Sequence, residues 1–144
     1  MSTRADKGSR KVTLLCIDDD PFWLQFEKAF LESSGYAVET ASSGREGLEL
    51  AEIHRFDIAI VDYCMPDMNG QEFAVAVRQL WPGTPIVMLS GMLDVPDEVF
   101  EVVDAFVAKE CLAKGLLPAI TLLSEEHPVT ASGVQAAANR TNWH

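Results

Sequence analysis

The sequence predicts an α/β fold, with a five-stranded parallel sheet between layers of helix. Three observations predict it. Short apolar runs alternate five times with stretches of helical periodicity. The runs are continuous rather than alternating, the pattern of strands buried on both faces. Four of them end directly on an acid, a hydroxyl or a lysine. Alternating strands and helices build a parallel sheet joined by right-handed crossovers.

The elements follow in order. Residues 1–10 are polar and read as a loose lead-in. Val12–Ile17 is the first strand. Asp20 caps a first helix whose opening residue is Pro21. Phe22, Trp23, Phe26, Ala29 and Phe30 recur at helical spacing there, and are expected to face the core. Gly35 ends that helix. Tyr36–Thr40 is the second strand. Ser43 caps the second helix, with Glu46 placed for a capping box, and Leu48, Leu50, Ala51 and Ile53 are its apolar positions. Phe56–Val61 is the third strand.

Asn69-Gly70 opens a third helix carrying Phe73, Ala74, Val77 and Leu80, and Pro82-Gly83 stops it. Pro85–Leu89 is the fourth strand. A short helix is expected between Pro96 and Val102. Asp104–Ala108 is the fifth strand, and Leu116–Leu123 a final helix. The stretch 126–144 lacks periodicity and reads as a flexible tail. One folded unit, residues 11–125, is expected.

Composition narrows the function. Apolar residues make up 48% of the chain, enough for a packed core. No apolar run reaches the roughly 18 residues of a membrane span, and the run after Lys11 is too short for a secretory signal. Cys16, Cys64 and Cys111 are widely spaced without zinc-type pairing, which suits a reducing, cytoplasmic setting. The net charge of -11 argues against direct nucleic-acid binding and allows a divalent cation.

The strand ends carry the chemistry. Asp18 and Asp19 end the first strand, Asp62 the third, Ser90 the fourth and Lys109 the fifth. In a parallel sheet these ends share one edge, where open α/β folds bind ligands. Three close carboxylates repel one another. A Mg²⁺ ion takes one or two carboxylates, keeps several waters, and neutralises phosphoryl oxygens; Mn²⁺ suits the same donors. In this reading Asp62 is a nucleophile forming an acyl phosphate. Lys109 pairs with a phosphoryl oxygen, and Ser90 donates a hydrogen bond to another.

Four stretches carry a family resemblance: Ile17-Asp18-Asp19-Asp20-Pro21; Val61-Asp62-Tyr63-Cys64-Met65-Pro66-Asp67-Met68-Asn69-Gly70; Pro85-Ile86-Val87-Met88-Leu89-Ser90-Gly91; and Asp104-Ala105-Phe106-Val107-Ala108-Lys109. Together the chain resembles the receiver domain of two-component response regulators over roughly residues 11–125, as a stand-alone domain. The resemblance implies a flavodoxin-like three-layer sandwich with strand order 2-1-3-4-5. It implies a phosphorelay switch rather than an enzyme with an external substrate. Asp62 would accept phosphoryl from a sensor histidine kinase or phosphotransfer protein. Mg²⁺ would be held by Asp19, Asp62 and the Cys64 backbone carbonyl, with Asp18 acting through water. Ser90 and Phe106 would form a switch pair whose movement alters contacts with a downstream protein, or within a homodimer.

Three departures stand out. Glu110 follows Lys109 where the family usually has a cis proline, and a cis bond before a non-proline costs about 2.5–4 kcal/mol. The segment from Ser90 to Lys109 is short, leaving little room for a full fourth helix. Cys64 and Met92 occupy positions that tune dephosphorylation in the family, and neither orients a water well, which predicts a long-lived phosphoryl group.

Plainer readings stand beside these. Asp18-Asp19-Asp20 alone suits a solvated cap, Phe106 an ordinary core aromatic, and Cys64 a loop residue. Two other functions compete. Asp18 and Asp20 match the Asp-x-Asp of haloacid-dehalogenase-like phosphatases, although Phe22 stands where Thr or Val is expected. A receiver that is never phosphorylated and acts as a binding module is the other.

Overall fold

The computed structural model describes residues 10–126. The lead-in before Arg10 and the tail beyond Glu126 lie outside the described residues. Five strands alternate with helices: β1 (Thr13–Ile17), α1 (Pro21–Ser33), β2 (Ala37–Ala41), α2 (Gly44–Ile53), β3 (Ile58–Val61), α3 (Gly70–Leu80), β4 (Ile86–Ser90), α4 (Val99–Val102), β5 (Ala105–Ala108) and α5 (Leu117–Glu126). All strand pairings are parallel, in the order β2-β1-β3-β4-β5. The expected order is therefore observed.

The strands are apolar throughout because both faces are covered. β3 and β4 are buried at every residue. Two apolar clusters flank the sheet. One joins Leu14, Cys16, Ile60, Val87 and Leu89 to α1 and α5. The other joins Leu15, Ile17, Val61 and Met88 to Phe73, Ala74 and Val77 of α3. Residues i and i+2 along one strand thus enter opposite layers from their neighbours, as strand geometry requires.

Helix starts follow local chemistry. The Asp20 carboxylate accepts from the Phe22 and Trp23 N–H groups, and Pro21 opens α1. Asn69 and Glu72 form a complete capping box on α3. On α2 the box is displaced. Ser43 accepts from the Glu46 N–H, but the Glu46 carboxylate accepts from Ser42. Gly35 stands at φ +99°, a conformation that favours glycine, and closes α1 as expected.

The aromatic stripe of α1 does not face the core. Phe22 is 80% and Phe26 54% exposed, and Ala29 is exposed too. The buried line is Leu24, Glu27 and Leu31. Trp23 and Phe30 lie between the two lines and pack partly on the core. Asp20 and Pro21 fix where the helix begins, and the sheet contact then sets its rotation. Both lines have helical spacing, so periodicity alone does not choose between them. Ile53, expected to be apolar contact on α2, is likewise exposed.

α4 spans only four residues, as the short segment predicts. An ion pair stabilises this thin region. Arg78 on α3 donates to Asp104 at 2.7 Å and to the Val102 carbonyl at 3.1 Å. Asp104 also accepts from the Ile86 N–H at 2.8 Å. The starts of β4 and β5 are thereby tied together, which fixes where their far ends place Ser90 and Lys109. The Lys109-Glu110 peptide is trans. A 3₁₀ turn over Lys109–Cys111 and a π-helical turn over Leu112–Leu116 carry the chain from β5 into α5.

Candidate functional site

Register brings the acids together. Ile17 pairs with Val61 across β1 and β3, so Asp18 and Asp62 leave neighbouring strands side by side. The Asp62 N–H donates to the Ile17 carbonyl at 3.0 Å and holds that register to the last residue. Asp18, Asp19 and Asp62 each offer an oxygen, and these oxygens lie within 4.8 Å of one another. Asp18 and Asp62 are buried, while Asp19 is exposed. Asp18 also accepts from the Asp20 N–H at 3.0 Å, which shapes the turn between β1 and α1.

β4 and β5 supply the other groups. Ser90 pairs with Ala108, so Lys109 begins one residue beyond Ser90 at the same edge. Lys109 Nζ lies 2.5 Å from Asp18 Oδ2 and 3.5 Å from Asp62 Oδ1. Ser90 is buried, and its hydroxyl oxygen accepts from the Met92 N–H at 3.0 Å. Phe106 is half-buried and packs against Phe100 with ring centroids 5.5 Å apart. Cys64 is exposed on the loop after β3, its Sγ 3.8 Å from Met92 Sδ.

Gly70 allows the loop after β3 to fold back on this edge. A Cβ there would stand 2.5 Å from the Asp62 carbonyl oxygen and 2.8 Å from Met88. The loop's other end is held by Asp67, which accepts from the Gly44 and Arg45 N–H groups at the start of α2.

Electrostatics follow from crowding. Burial, and then the neighbouring Asp18 carboxylate, raise Asp62 to about 6 against the opposing pull of Lys109. Burial alone would lower the Lys109 ammonium, but Asp18 and Asp62 outweigh it and raise the group. Three carboxylates against one ammonium leave a formal charge of about -2, which a single divalent cation balances. The donors are all oxygens, the set that Mg²⁺ prefers. These residues therefore fit that ion.

Two residues near the site were not foreseen from sequence. Glu27 of α1 is buried with Oε2 unpartnered, and Trp23 Nε1 is likewise buried without a partner. Burial raises Glu27 to about 7, with the Asp18 charge adding to the rise. The available signal was the spacing of Leu24, Glu27 and Leu31, which puts a carboxylate into an otherwise apolar line.

The fold and this edge define a class. The family model for the response regulator receiver domain matches residues 14–121. The chain belongs to that family, whose members are signalling domains. It is 37% identical over 86 residues to the transcriptional regulatory protein GlrR of Escherichia coli, covering 60% of this chain and 19% of that one. It is 36% identical over 86 residues to the cell cycle response regulator CtrA of Brucella ovis, covering 60% and 37%. The chain thus spans well under half the length of these curated relatives.

Solved structures agree. A CheY-like receiver domain protein from Methanospirillum hungatei superposes with TM-score 0.77 at 32% identity, covering 83% of this chain and 98% of that one. TrrA of Thermotoga maritima, solved in complex with Mg²⁺ and beryllofluoride, superposes with TM-score 0.74 at 26% identity, covering 78% and 98%. The family match is to receivers, not to the haloacid-dehalogenase-like phosphatases. Asp20, the second acid of that alternative, is occupied in capping α1.

Among the described residues no helix is long and apolar enough to cross a membrane.

Proposed function

We propose that this domain is a phosphorylatable switch whose acceptor is Asp62. The carrying observation is the set Asp18, Asp19 and Asp62 with Lys109 across its mouth. Asp19 and Asp62, with the Cys64 carbonyl, would hold Mg²⁺, and Asp18 would act through water. When bound, the ion supplies neutralisation of phosphoryl oxygens. One Asp62 carboxylate oxygen attacks the phosphorus of a phosphohistidine, the P–N bond breaks, and the imidazole leaves with that electron pair. Lys109 pairs with a phosphoryl oxygen, and the Ser90 hydroxyl turns from its loop contact to donate to another.

The phosphoryl group adds roughly -1.5 to -2 charge at this edge. That charge biases the loops after β4 and β5, and with them Phe106, between two arrangements. The donor is a sensor histidine kinase or phosphotransfer protein, and the output is a changed protein contact or a homodimer.

The test is acetyl phosphate, or beryllofluoride, with Mg²⁺, on wild type and Asp62→Asn. Intact mass should rise by one phosphoryl group in wild type only, and tryptophan fluorescence should change with beryllofluoride. A wild-type protein indifferent to both reagents sinks the reading.

A further inference from the structure

Lys109 has a neighbour besides the carboxylates. Its Nζ stands 5.0 Å above the centroid of the Trp23 ring while it also contacts Asp18 and Asp62. An ammonium over an indole face is attracted by the ring quadrupole, more strongly as water is excluded. The Lys109 side chain is only 20% exposed.

Trp23 is itself anchored. Its ring packs at a tilt on Phe26, centroids 5.5 Å apart. Glu27 lies one turn on, at the i+4 position that shares a helix face. Trp23 Nε1 and Glu27 Oε2 are a donor and an acceptor, both buried and both without a partner at contact distance. Burying two such groups is costly unless they serve each other.

We propose that Trp23 is a positioning residue for Lys109. Its indole face holds the ammonium at the mouth of the Asp18–Asp62 pair, and Phe26 packs against the ring. The seat has a use that an ion pair alone lacks. An ion pair with Asp18 is directional and competes with the phosphoryl group for the same ammonium. Attraction to a ring face tolerates lateral movement. It keeps the four-carbon stem of Lys109 ordered while Nζ swings from Asp18 to a phosphoryl oxygen. The inference rests on the reading of Lys109 as the phosphoryl-binding cation.

The experiment compares wild type, Trp23→Phe and Trp23→Met in the full chain. Methionine fills the space without a ring. Two readouts are taken. The first is the NMR shift of the Lys109 side-chain methylene protons next to Nζ. Expected is an upfield displacement in wild type, smaller in Trp23→Phe and lost in Trp23→Met. The second is beryllofluoride affinity with Mg²⁺, expected to fall about tenfold in Trp23→Met and by less in Trp23→Phe. A structural role for Trp23 alone would not order the variants by ring. Should Trp23→Met fail to fold, wild type against Trp23→Phe still tests the order, since benzene is the weaker seat. Unshifted Lys109 protons in wild type, or unchanged affinity without the ring, overturns the proposal. A wild type blind to beryllofluoride sinks the switch reading instead, and the Lys109 shift then decides the seat alone.

Discussion

Lys109 Nζ lies 2.5 Å from Asp18 Oδ2, so this cation's tightest contact is with the acid ending β1 rather than with Asp62 at 3.5 Å. The ammonium therefore occupies the carboxylate cluster that a divalent cation would enter. Like charges within a few ångströms oppose each other strongly where water is scarce. Lys109→Ala should bind Mg²⁺ more tightly than wild type, by roughly three- to tenfold at pH 8. Titration calorimetry reads this directly. Weaker Mg²⁺ binding in the variant would show that the ammonium supports the metal site instead of competing with it.

Metal binding should also depend on pH through Asp62. Burial and the Asp18 charge keep its proton on until pH about 6. A protonated carboxyl is a poor Mg²⁺ ligand, so binding must release that proton. Mg²⁺ affinity should be level above pH 7 and fall below pH 6, by up to about tenfold per pH unit. Asp62→Asn should flatten that limb while weakening binding overall. An affinity constant from pH 5 to 8 in wild type would remove Asp62 from the metal shell.

Glu27 predicts a stability change of definite sign. Burial raises it from the ordinary 4.5 to about 7 in the folded chain. The folded state therefore holds this proton more firmly than the unfolded state does. Its contribution is fully present below pH 4.5 and is lost as pH rises through 7, an effect on the order of 3 kcal/mol. Glu27→Gln stays neutral throughout. It should match wild type near pH 4.5 and exceed it by about 1–3 kcal/mol at pH 8 in urea unfolding. Equal stability at pH 8 would mean that the carboxylate is better solvated than its burial implies.

Why Glu27 escaped the sequence reading, while Asp62 did not, is a matter of what local pattern encodes. Asp18, Asp62, Ser90 and Lys109 are legible because each ends an apolar run, and parallel strands bring their ends to one edge. The short α4 follows from similar counting of runs and turns, whereas the strand order is what the family resemblance implies. The rotation of α1 is set by contact with the sheet, which periodicity does not report. Phe22 and Phe26 therefore read as core-facing, and local pattern alone does not single out Glu27. The Arg78–Asp104 pair was invisible for a related reason. Its members are 26 residues apart, and Arg78 belongs to no motif that would point Asp104 to it. Nor does spacing reveal that Lys109 leans toward Asp18, because side-chain reach decides it.

Cys64 and Met92 make the last prediction, about how long phosphoryl stays on Asp62. They stand two residues beyond Asp62 and Ser90, on the loops that frame the acceptor. Their sulfurs meet at 3.8 Å, so the two loops touch through side chains that are weak hydrogen-bond partners. Hydrolysis needs a water aligned behind the phosphorus, and neither sulfur can hold one firmly. Asparagine at position 64 would offer an amide to that water. One hydrogen bond to the attacking water contributes about 1–1.5 kcal/mol, or roughly tenfold in rate. Cys64→Asn should therefore shorten the life of phospho-Asp62 about tenfold, followed by intact mass after acetyl phosphate is removed in the presence of Mg²⁺. Loss within seconds in wild type, or identical decay in the two proteins, would mean that water reaches the phosphoryl group by a route these loops do not control.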